Sequence, residues 1–488
     1  MRSDSTGKNS LPMNILNPSD QESYRLIVLR REASEILFDM KGSRLSLPCV
    51  EVFPQKRIAY QLTSELNKQW GIQAYCLFVA TFAPHDGTDL KTNYVVMESI
   101  SHKGRVTGAC WMSRMASPYQ NMRYVEDSEA IAESLNEMDS YVIGARPGPF
   151  GKPGWLKELF TWAQEQLGPL GFRLSGDFQQ FDAGPTFSLV RLGTDRSAAW
   201  FKATGESNVH ELPITLCLAR LFPTSLPPVL GFHPTWKGWL SEEVSDTTLD
   251  QCKESGAWEL AAKNLAELQV ASIGKSFPLL DVHCKDLRLQ GLLQLVRPFI
   301  TNMAELMANQ IKEFPPPLTD HELDFLAERL YESLSLLQTI GIPDTVGHAD
   351  LNPGNVLVAH QRCVFLDWAE ACVTNPILTF EYLREYLRRT VTDDATALVR
   401  IATAYLRSWE PFVPPHDLAR ALTVSPLIAV FVHALASDVW RSSETSHSTA
   451  QSAYFRSLTR RMFREAMPRS ERGNGPIPNR CSEPQGQG

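Results

Sequence analysis

Short apolar runs alternate with polar or turn-forming residues over the first hundred residues of the chain. The runs are rich in Val, Ile, Phe and Tyr, which favour strands, and they lie at 23–30, 34–40, 75–83 and 92–100. One helix is predicted among them, at 57–70, because apolar residues recur every four positions from Ile58 to Leu66 and Gly71 follows as a left-handed cap. Strands around one helix predict a small α+β domain over residues 21–150.

A second β-rich block follows a connection at 151–174 that combines Gly- and Pro-rich turns with a helix. Its apolar pattern predicts strands at 187–193, 198–204 and 238–244, and a short helix at 210–222. We therefore expect a small β lobe over 175–245.

From residue 255 onward the apolar spacing becomes helical. A helix is predicted at 286–314, and the next one opens with the capping residues Thr319 and Glu322. A sheet-like insertion at 345–371 interrupts these helices. The order predicts a large helical lobe over 246–467 that contains one β site.

Composition sets the scale of the protein and argues against one class of partner. The chain has 488 residues, more than one hydrophobic core usually serves, so at least two domains are expected. Forty-seven Lys and Arg against 55 Asp and Glu give a net charge of −8, the wrong balance for neutralising nucleic-acid phosphates. We expect no nucleic-acid partner. The polar ends, 1–20 and 468–488, are predicted to be disordered.

Cysteine usage and hydropathy indicate the compartment. Nine cysteines are scattered without CxxC pairs, which indicates reduced thiols rather than a disulfide framework. The N-terminus lacks the apolar core of a signal peptide. The most apolar stretch, 426–436, is shorter than the roughly 20 residues that cross a bilayer, and is predicted to be a buried helix. These features favour a cytoplasmic protein that does not enter a membrane.

One segment has the residue types that phosphoryl transfer needs. His348 opens the pattern HxDxxxxN, which contains Asp350 and Asn355, and a following apolar strand ends at Asp367. Phosphoryl transfer needs a carboxylate to accept the proton of the attacking hydroxyl, and further oxygen ligands to hold Mg²⁺ on the nucleotide. Asp350 fits the first role, and Asn355 and Asp367 fit the second. We name residues 348–368 the catalytic segment.

With these residues, positions from about 175 to 465 resemble the aminoglycoside phosphotransferase and choline kinase family, small-molecule relatives of the protein kinases. The resemblance implies a two-lobed α+β fold of the protein-kinase type, with a small β lobe and a large helical lobe. It also implies that Asp350 is the catalytic residue, and that Asn355 and Asp367 bind the metal. Ala349 stands where the family usually has Gly, and His348 is expected to brace the loop.

The same resemblance implies a nucleotide site in the small lobe. Lys202, on an apolar strand, would contact the α and β phosphates of ATP, and a lysine there needs an anionic partner. Glu211 is the predicted partner and Glu206 the alternative. The phosphate loop is expected at 182–186, where Gly184 and Thr186 would contribute, and the hinge at Glu243 and Val244.

Three glutamates follow the catalytic segment. Glu370, Glu381 and Glu385 lie where relatives bind cationic aminoglycosides. Either they form an acidic wall for a cationic acceptor, or they are ordinary surface charges.

The N-terminal domain resembles a degenerate Nudix fold. Aligned on Gly71, its helix keeps Glu65, but Lys68 and Gln69 stand where the family has its metal-binding glutamates. A cation and an amide in place of carboxylates should abolish Mg²⁺ binding, so hydrolysis there is not expected. An unrelated α+β domain is the alternative, and in either case we expect a regulatory, substrate-presenting or interface role.

The main hypothesis is an ATP- and Mg²⁺-dependent kinase that phosphorylates a hydroxyl group of a small molecule. GTP as the donor, the identity of the acceptor and the oligomeric state are left open. The alternative is a pseudokinase that binds nucleotide or acts as a scaffold without turnover. It is disfavoured because the family's key positions remain filled.

Overall fold

The computed structural model describes residues 21–30, 33–40, 44–82, 92–100, 106, 108–114, 122–390, 395–436, 438–441 and 448–468. The segments predicted to be disordered, apart from Pro468, fall outside these residues. The chain divides into two compact units: the N-terminal unit, 2–212 with 227–244, and the C-terminal unit, 213–226 with 245–488.

The N-terminal unit begins with a six-stranded sheet. Its strands are β1 (Glu22–Arg30), β2 (Glu35–Asp39), β3 (Cys49–Val52), β4 (Ala74–Val79), β5 (Asn93–Ser99) and β6 (Ala109–Ser113). The strand order is β4-β5-β1-β2-β6, with β3 also paired to β1. The helices of this part are α1 (Ile58–Trp70), α2 (Val125–Val142) and α3 (Trp155–Leu167).

Both faces of this first sheet are buried, which explains why β1 is apolar along most of its length rather than alternating. Leu26 and Val28 join a cluster that includes the buried residues of α1. Ile27 and Leu29 point the other way, into a cluster that includes α2 and α3. α1 ends at Gly71, whose backbone is left-handed (φ 68°), as the sequence predicts.

The N-terminal unit also contains a five-stranded sheet in the order β10-β11-β9-β8-β7. Its strands are β7 (Leu174–Ala183), β8 (Ser188–Thr194), β9 (Ala199–Ala203), β10 (Val229–His233) and β11 (Gly238–Glu242). Trp155 of α3 and Phe201 of β9 lie in the cluster that also covers the first sheet. The two sheets of the N-terminal unit therefore share one core.

The C-terminal unit is mainly helical. After α4 (Glu211–Leu221), where the two units meet along the chain, its helices are α5 (Ser255–Ala271), α6 (Ser276–Asp281), α7 (Leu289–Ala308), α8 (Asp320–Ile340), α9 (Pro376–Thr390), α10 (Ala395–Leu406), α11 (Pro415–Leu435) and α12 (Thr449–Ala466). Its strands are β12 (Lys285–Leu287), β13 (Thr345–His348), β14 (Val356–Ala359), β15 (Arg362–Phe365) and β16 (Ala371–Thr374). β12, β16 and β13 form one sheet, and β14 and β15 form a hairpin.

α11 is the one described helix that is long and apolar enough to cross a membrane. More than half of it is buried in the C-terminal core, including Ile428, Phe431 and Val432. Tyr382 of α9 donates a hydrogen bond to the carbonyl of Ala429 on α11 (3.1 Å). The prediction of a buried helix at 426–436 is confirmed.

Most predicted strands and helices are present, including the capping box of Thr319 and Glu322 that opens α8. The start predicted for the helix at 286–314 is wrong, because Asp286 and Leu287 pair with β16 as strand β12 and the helix begins at Leu289. β7 and α2 were missed. Polar residues interrupt the sequence of β7, which leaves no regular apolar alternation to predict it.

The eight cysteines among the described residues are free thiols.

Candidate active site

His348 is the last residue of strand β13, and its ring forms hydrogen bonds with the backbone of the catalytic segment. Its Nδ1 accepts the backbone N–H of Asp350 (3.2 Å), and its Nε2 lies 3.0 Å from the carbonyl of Leu366. Because a carbonyl can only accept, Nε2 must be protonated and Nδ1 must not be. The buried imidazole is therefore the neutral Nε2–H tautomer, which fits the bracing role expected for His348.

Asn355 closes the turn that follows Asp350. Its side-chain nitrogen lies 3.4 Å from the carbonyl of Asp350, and its backbone carbonyl accepts the N–H of Leu366 (2.8 Å). This last hydrogen bond brings the residue before Asp367 alongside Asn355. Asp367 itself has a left-handed backbone (φ 62°), rare for a residue with a side chain and often found at functional sites.

Other contacts fix the catalytic segment to the C-terminal core. The backbone N–H of His348 donates to Thr379 Oγ1 (3.1 Å), and that of Ala349 donates to the carbonyl of Glu370 (3.0 Å). The ring of Trp368, which is buried, packs 4.9 Å from the ring of His348. Thr379 was missed by sequence reasoning, because a single threonine on a helix gives no signal of such a contact.

Helix α11 also reaches the catalytic segment, through His433. The Ala349 carbonyl forms a hydrogen bond with this histidine, and His433 Nε2 lies 2.8 Å from the hydroxyl of Tyr454. Burial lowers the pKa of His433, as does the positive charge of Arg461, while the Ala349 carbonyl opposes them. The net direction is downward, which favours the neutral ring.

In the N-terminal unit, Lys202 of β9 forms an ion pair with Glu211 at the start of α4. The distance from Nζ to Oε1 is 2.6 Å, and the Glu211 side chain is 1% exposed against 25% for Lys202. This is the partner chosen from the sequence; Glu206, the alternative, lies in an exposed turn. A buried carboxylate fixed to the lysine holds the ammonium group at the end of an otherwise apolar strand.

The predicted phosphate loop, 182–186, connects β7 to β8. The N–H of Gly184 donates to the carbonyl of Phe187 (3.0 Å) and closes the turn. A Cβ atom at Gly184 would lie 2.1 Å from the Phe187 ring, so only glycine fits there. Thr186 is similarly close to Gly205, where an added Cβ would lie 2.2 Å from Thr186 Oγ1. The loop is thus packed against the chain that follows β9.

Glu243, at the predicted hinge, has its carboxylate held within the N-terminal unit. Arg191 donates to both oxygens, at 2.6 and 2.7 Å, and Trp200 Nε1 donates to Oε1 (3.0 Å). Its backbone N–H donates to the carbonyl of Ala198 (2.8 Å). Val244 is the last residue of this unit. Arg191 and Trp200 were missed by sequence reasoning, since neither lies in a recognisable motif.

The glutamates of α9 match neither sequence interpretation, since arginines hold both carboxylates. Glu381 is 2% exposed and is paired with Arg384 and Arg388, and Ser425 donates to it (2.7 Å). Glu385 is paired with Arg388, Arg389 and Arg461. Burial opposes ionisation of Glu385, but the arginines outweigh it and lower its pKa. An ion-pair network therefore replaces the acidic wall at these two positions.

The helix compared with the Nudix motif is α1. Lys68 and Gln69 both donate to the carboxylate of Glu65, each at 3.2 Å. These hydrogen bonds, first from Gln69 and then from Lys68, lower the pKa of Glu65. The remaining acidic side chain is thus engaged within its own helix, and the resemblance to the Nudix fold stays a prediction.

Comparison with known families adds an independent observation. Residues 223–414, which include the catalytic segment, match the family model described as the phosphotransferase enzyme family, APH. Over this segment the chain is similar to the phosphotransferase enzyme family. The match confirms the predicted resemblance and the kinase-like α+β fold, and it supports an enzyme of the small-molecule kinase class.

Solved structures of phosphotransferases are similar to this chain at low identity. An ethanolamine kinase from Plasmodium vivax is 15% identical, with 63% of this chain and 86% of that chain covered and a TM-score of 0.41. The choline kinase LicA from Streptococcus pneumoniae is 11% identical (62% and 99% covered, TM-score 0.39). An aminoglycoside phosphotransferase from Alicyclobacillus acidocaldarius is 14% identical (59% and 89% covered, TM-score 0.38). No curated protein matches the chain.

Proposed function

We propose that the protein is an ATP- and Mg²⁺-dependent kinase that transfers the γ-phosphoryl group to a hydroxyl group of a small molecule. The single observation that carries this proposal is the geometry of the catalytic segment within the matched family region. The neutral His348 accepts the N–H of Asp350, and the hydrogen bond between Leu366 and Asn355 brings Asp367 close to Asn355. The three residues proposed for phosphoryl transfer thus belong to adjoining turns.

Asp350 would orient the acceptor hydroxyl and accept its proton as the new O–P bond forms. A carboxylate suits this role because it is ionised at neutral pH and acts chiefly by positioning the nucleophile. The loop around it is fixed by backbone hydrogen bonds, so little reorganisation would be needed on binding.

The donor set at Asn355 and Asp367 fits Mg²⁺. Both side chains offer hard oxygen atoms, which magnesium prefers, and one or two protein ligands suffice because nucleotide phosphates and water complete the octahedron. No group of three or more His, Cys, Asp or Glu side chains suited to a metal is found among the described residues. This fits an ion that enters with the nucleotide better than a metal held by the protein alone. When bound, Mg²⁺ would neutralise charge on the phosphates.

Lys202 would contact the nucleotide phosphates, with Glu211 keeping its ammonium group in place. Thr186 and the backbone of the phosphate loop, which connects β7 to β8, would also contact the phosphates. Since the Gly184 N–H closes the turn, Gly184 would contribute through its lack of a side chain. The backbone at Glu243 and Val244 would meet the base, while the Glu243 carboxylate, held by Arg191, fixes the hinge strand.

The proposal is tested with the purified full chain, ATP, Mg²⁺ and a panel of acceptors. The panel includes choline, ethanolamine, aminoglycosides, macrolides and neutral sugars, because the arginine-paired Glu381 and Glu385 give no reason to favour polycations. We expect acceptor-dependent release of ADP. Tight ATP binding with no turnover on any acceptor would favour the pseudokinase alternative instead.

The matched variants are Asp350→Asn and Asp324→Asn. Asp324 is an exposed carboxylate on α8 that pairs with Arg297, so its loss should leave turnover unchanged. Asp350→Asn should lower kcat by about a hundredfold or more, with the nucleotide Kd retained. Full activity of Asp350→Asn would disprove the proposed mechanism.

A further inference from the structure

The phosphate loop and the strand before it contact several residues from the first 150 positions of the chain. These residues lie in the same N-terminal unit as the loop but far from it in sequence. They contact the loop at both ends and along strand β7, which leads into it. The sequence gives no function for this N-terminal segment, residues 21–150, and its contacts supply one.

Strand β7 is the outer strand of the second sheet, and β4 is the outer strand of the first. Gln180 of β7 bridges the two edges with its side-chain amide. Its Oε1 accepts the N–H of Cys76 on β4 (2.7 Å), and its Nε2 donates to the carbonyl of the same residue (3.0 Å). Gln180 is 1% exposed, so this bridge is shielded from water. The amide thus fixes β7 to the first sheet two residues before the phosphate loop.

Helix α1 contacts the next two residues of β7. The ring of Tyr60 stacks on that of Phe181, with centroids 5.2 Å apart and an interplanar angle of 11°. Arg57, at the N-terminus of α1, forms an ion pair with the carboxylate of Asp182, the first residue of the loop. Ala183 packs against the apolar cluster of α1 and the first sheet. The entry to the loop is therefore covered by one face of α1.

The other end of the loop is held by the segment that follows α2. The N–H of Phe150 donates to the carbonyl of Pro185 (3.0 Å). Gly148 lies so close that a Cβ there would be 3.0 Å from Pro185 Cβ. Phe150 is fully buried in the core that the two sheets share. Both ends of the loop thus contact the N-terminal segment.

The contacts extend from the loop to the proposed nucleotide contacts. Phe181 lies 4.9 Å from the ring of Trp200, two residues before Lys202 on β9. Trp200 in turn donates to the carboxylate of Glu243 at the hinge. A shift of α1 would therefore act on the loop directly and on β9 through the contacting rings of Phe181 and Trp200.

We propose that the N-terminal segment is a positioning element that sets the conformation of the phosphate loop, and with it the affinity for nucleotide. The loop closes its own turn through the hydrogen bond between Gly184 and Phe187, and α1 and Gln180 fix the strand that leads into this turn. The kinetic part of this inference rests on the proposed function. The structural part, the order of the loop, does not.

The test uses the full chain with Arg57→Ala and Tyr60→Ala combined, because both side chains are partly exposed and their loss should leave the core intact. The control is Arg114→Ala, which removes an ion pair with Asp139 elsewhere in the N-terminal segment (2.8 Å). Amide hydrogen exchange is measured on peptides covering 183–188 and, for comparison, 345–367, without nucleotide. ATP affinity and steady-state kinetics are measured on the same proteins.

We expect exchange at 183–188 to quicken by about tenfold in the double variant, because a stacked pair and an ion pair are lost, with no change at 345–367. The Kd for ATP should rise by a similar factor, with kcat at saturating ATP within about twofold. The control, Arg114→Ala, should match the wild type in hydrogen exchange at 183–188 and in the Kd for ATP.

Unchanged exchange at 183–188 would overturn the inference, even if the midpoint of thermal unfolding fell. So would faster exchange with an unchanged Kd for ATP, because the loop's order would then not set affinity. If the wild type binds no nucleotide at all, the proposed function fails, and the exchange result alone decides whether the N-terminal segment orders the loop.

Discussion

The catalytic segment and the phosphate loop are both short connections between strands, yet contacts of very different range hold them. His348 is bonded to Leu366 and to Thr379, 18 and 31 residues away. The phosphate loop and the strand before it depend on Arg57 and on Cys76, 125 and 104 residues away from their partners. Much of the bonding around Asp350 comes from its own segment and from α9, whereas the entry to the phosphate loop is fixed by the first sheet and α1.

This difference has a physical consequence for how each loop responds to change. A loop braced by its own neighbours keeps its geometry as long as the local hairpin is folded. A loop braced from a distant segment loses order whenever that segment moves, because the entropy of the free connection is then regained. Nucleotide affinity should therefore be the more adjustable property of this protein, and proton transfer at Asp350 the less adjustable one.

The largest expected effect comes from breaking the local brace. In His348→Ala, the N–H of Asp350 and the carbonyl of Leu366 lose their buried partner, so the position of Asp350 is no longer fixed. We expect kcat to fall by about 10²-fold, the cost typical of a small displacement of a catalytic group. Steady-state kinetics together with ATP titration would check this, since the Kd for ATP should stay within about twofold of the wild type.

His348→Asn is the matching variant for this first prediction. Its carboxamide offers both a donor and an acceptor but is shorter than imidazole, so partial activity is expected. Equal activity of His348→Ala and the wild type would show that the catalytic segment does not depend on this brace.

The sequence was enough to propose the catalytic segment because the residues that define it lie close together in the chain. The HxDxxxxN spacing and the strand ending at Asp367 lie within 20 residues, and periodic patterns located the helices of the C-terminal unit. The Lys202 to Glu211 pairing was also accessible, since strand and helix follow one another. These features need only short-range geometry.

Gln180 could not be predicted in the same way. It lies in a polar stretch of β7 that has no strand pattern, and nothing in the sequence shows that its amide will face the edge of β4. The same holds for Arg57, whose partner Asp182 is known only once the two sheets share a core. The glutamates of α9 were misinterpreted for a related reason, because the arginines that neutralise Glu385 include Arg461 from a distant helix.

The next largest effect is expected from the ion pair of β9. Lys202→Ala leaves the buried carboxylate of Glu211 without its ammonium partner, which should lower the free energy of unfolding by about 3–5 kcal/mol. The Kd for ATP should also rise, and kcat should fall. Urea unfolding measures the first effect, and nucleotide titration and kinetics the others.

A double variant separates structure from function at this pair. Lys202→Met with Glu211→Leu replaces two charges with apolar groups of similar size, so it should recover most of the lost stability. It should not recover nucleotide binding. Recovery of both would mean that the lysine acts only in folding.

A smaller effect is expected at the bridge between the two sheets. Gln180→Leu leaves the N–H and the carbonyl of Cys76 buried without their partner, at a cost of about 1–3 kcal/mol for each group. Urea unfolding should show this loss, and hydrogen exchange should show faster opening at 183–188. Gln179→Leu is the control on the same strand, because Gln179 is exposed and its loss should change stability little. Equal stability of the two variants would remove Gln180 as the link between the sheets.

The smallest effect concerns His433, one of the distant residues that contact the catalytic segment. Burial and Arg461 lower the pKa of His433 in the folded protein. Below about pH 6.5, His433 is therefore protonated more readily in the unfolded chain than in the folded chain. The stability that this group contributes is complete above its unfolded pKa and is lost as the pH falls through its folded pKa. From one group, the free energy of unfolding can fall by no more than about 1.4 kcal/mol per pH unit.

In His433→Gln the decline between about pH 6.5 and 5 should be shallower than in the wild type by part of this slope. Urea unfolding at several pH values measures both declines. Identical slopes would mean that His433 is equally easy to protonate in both states, and the contact of α11 with Ala349 would then contribute nothing to the pH dependence of the catalytic segment.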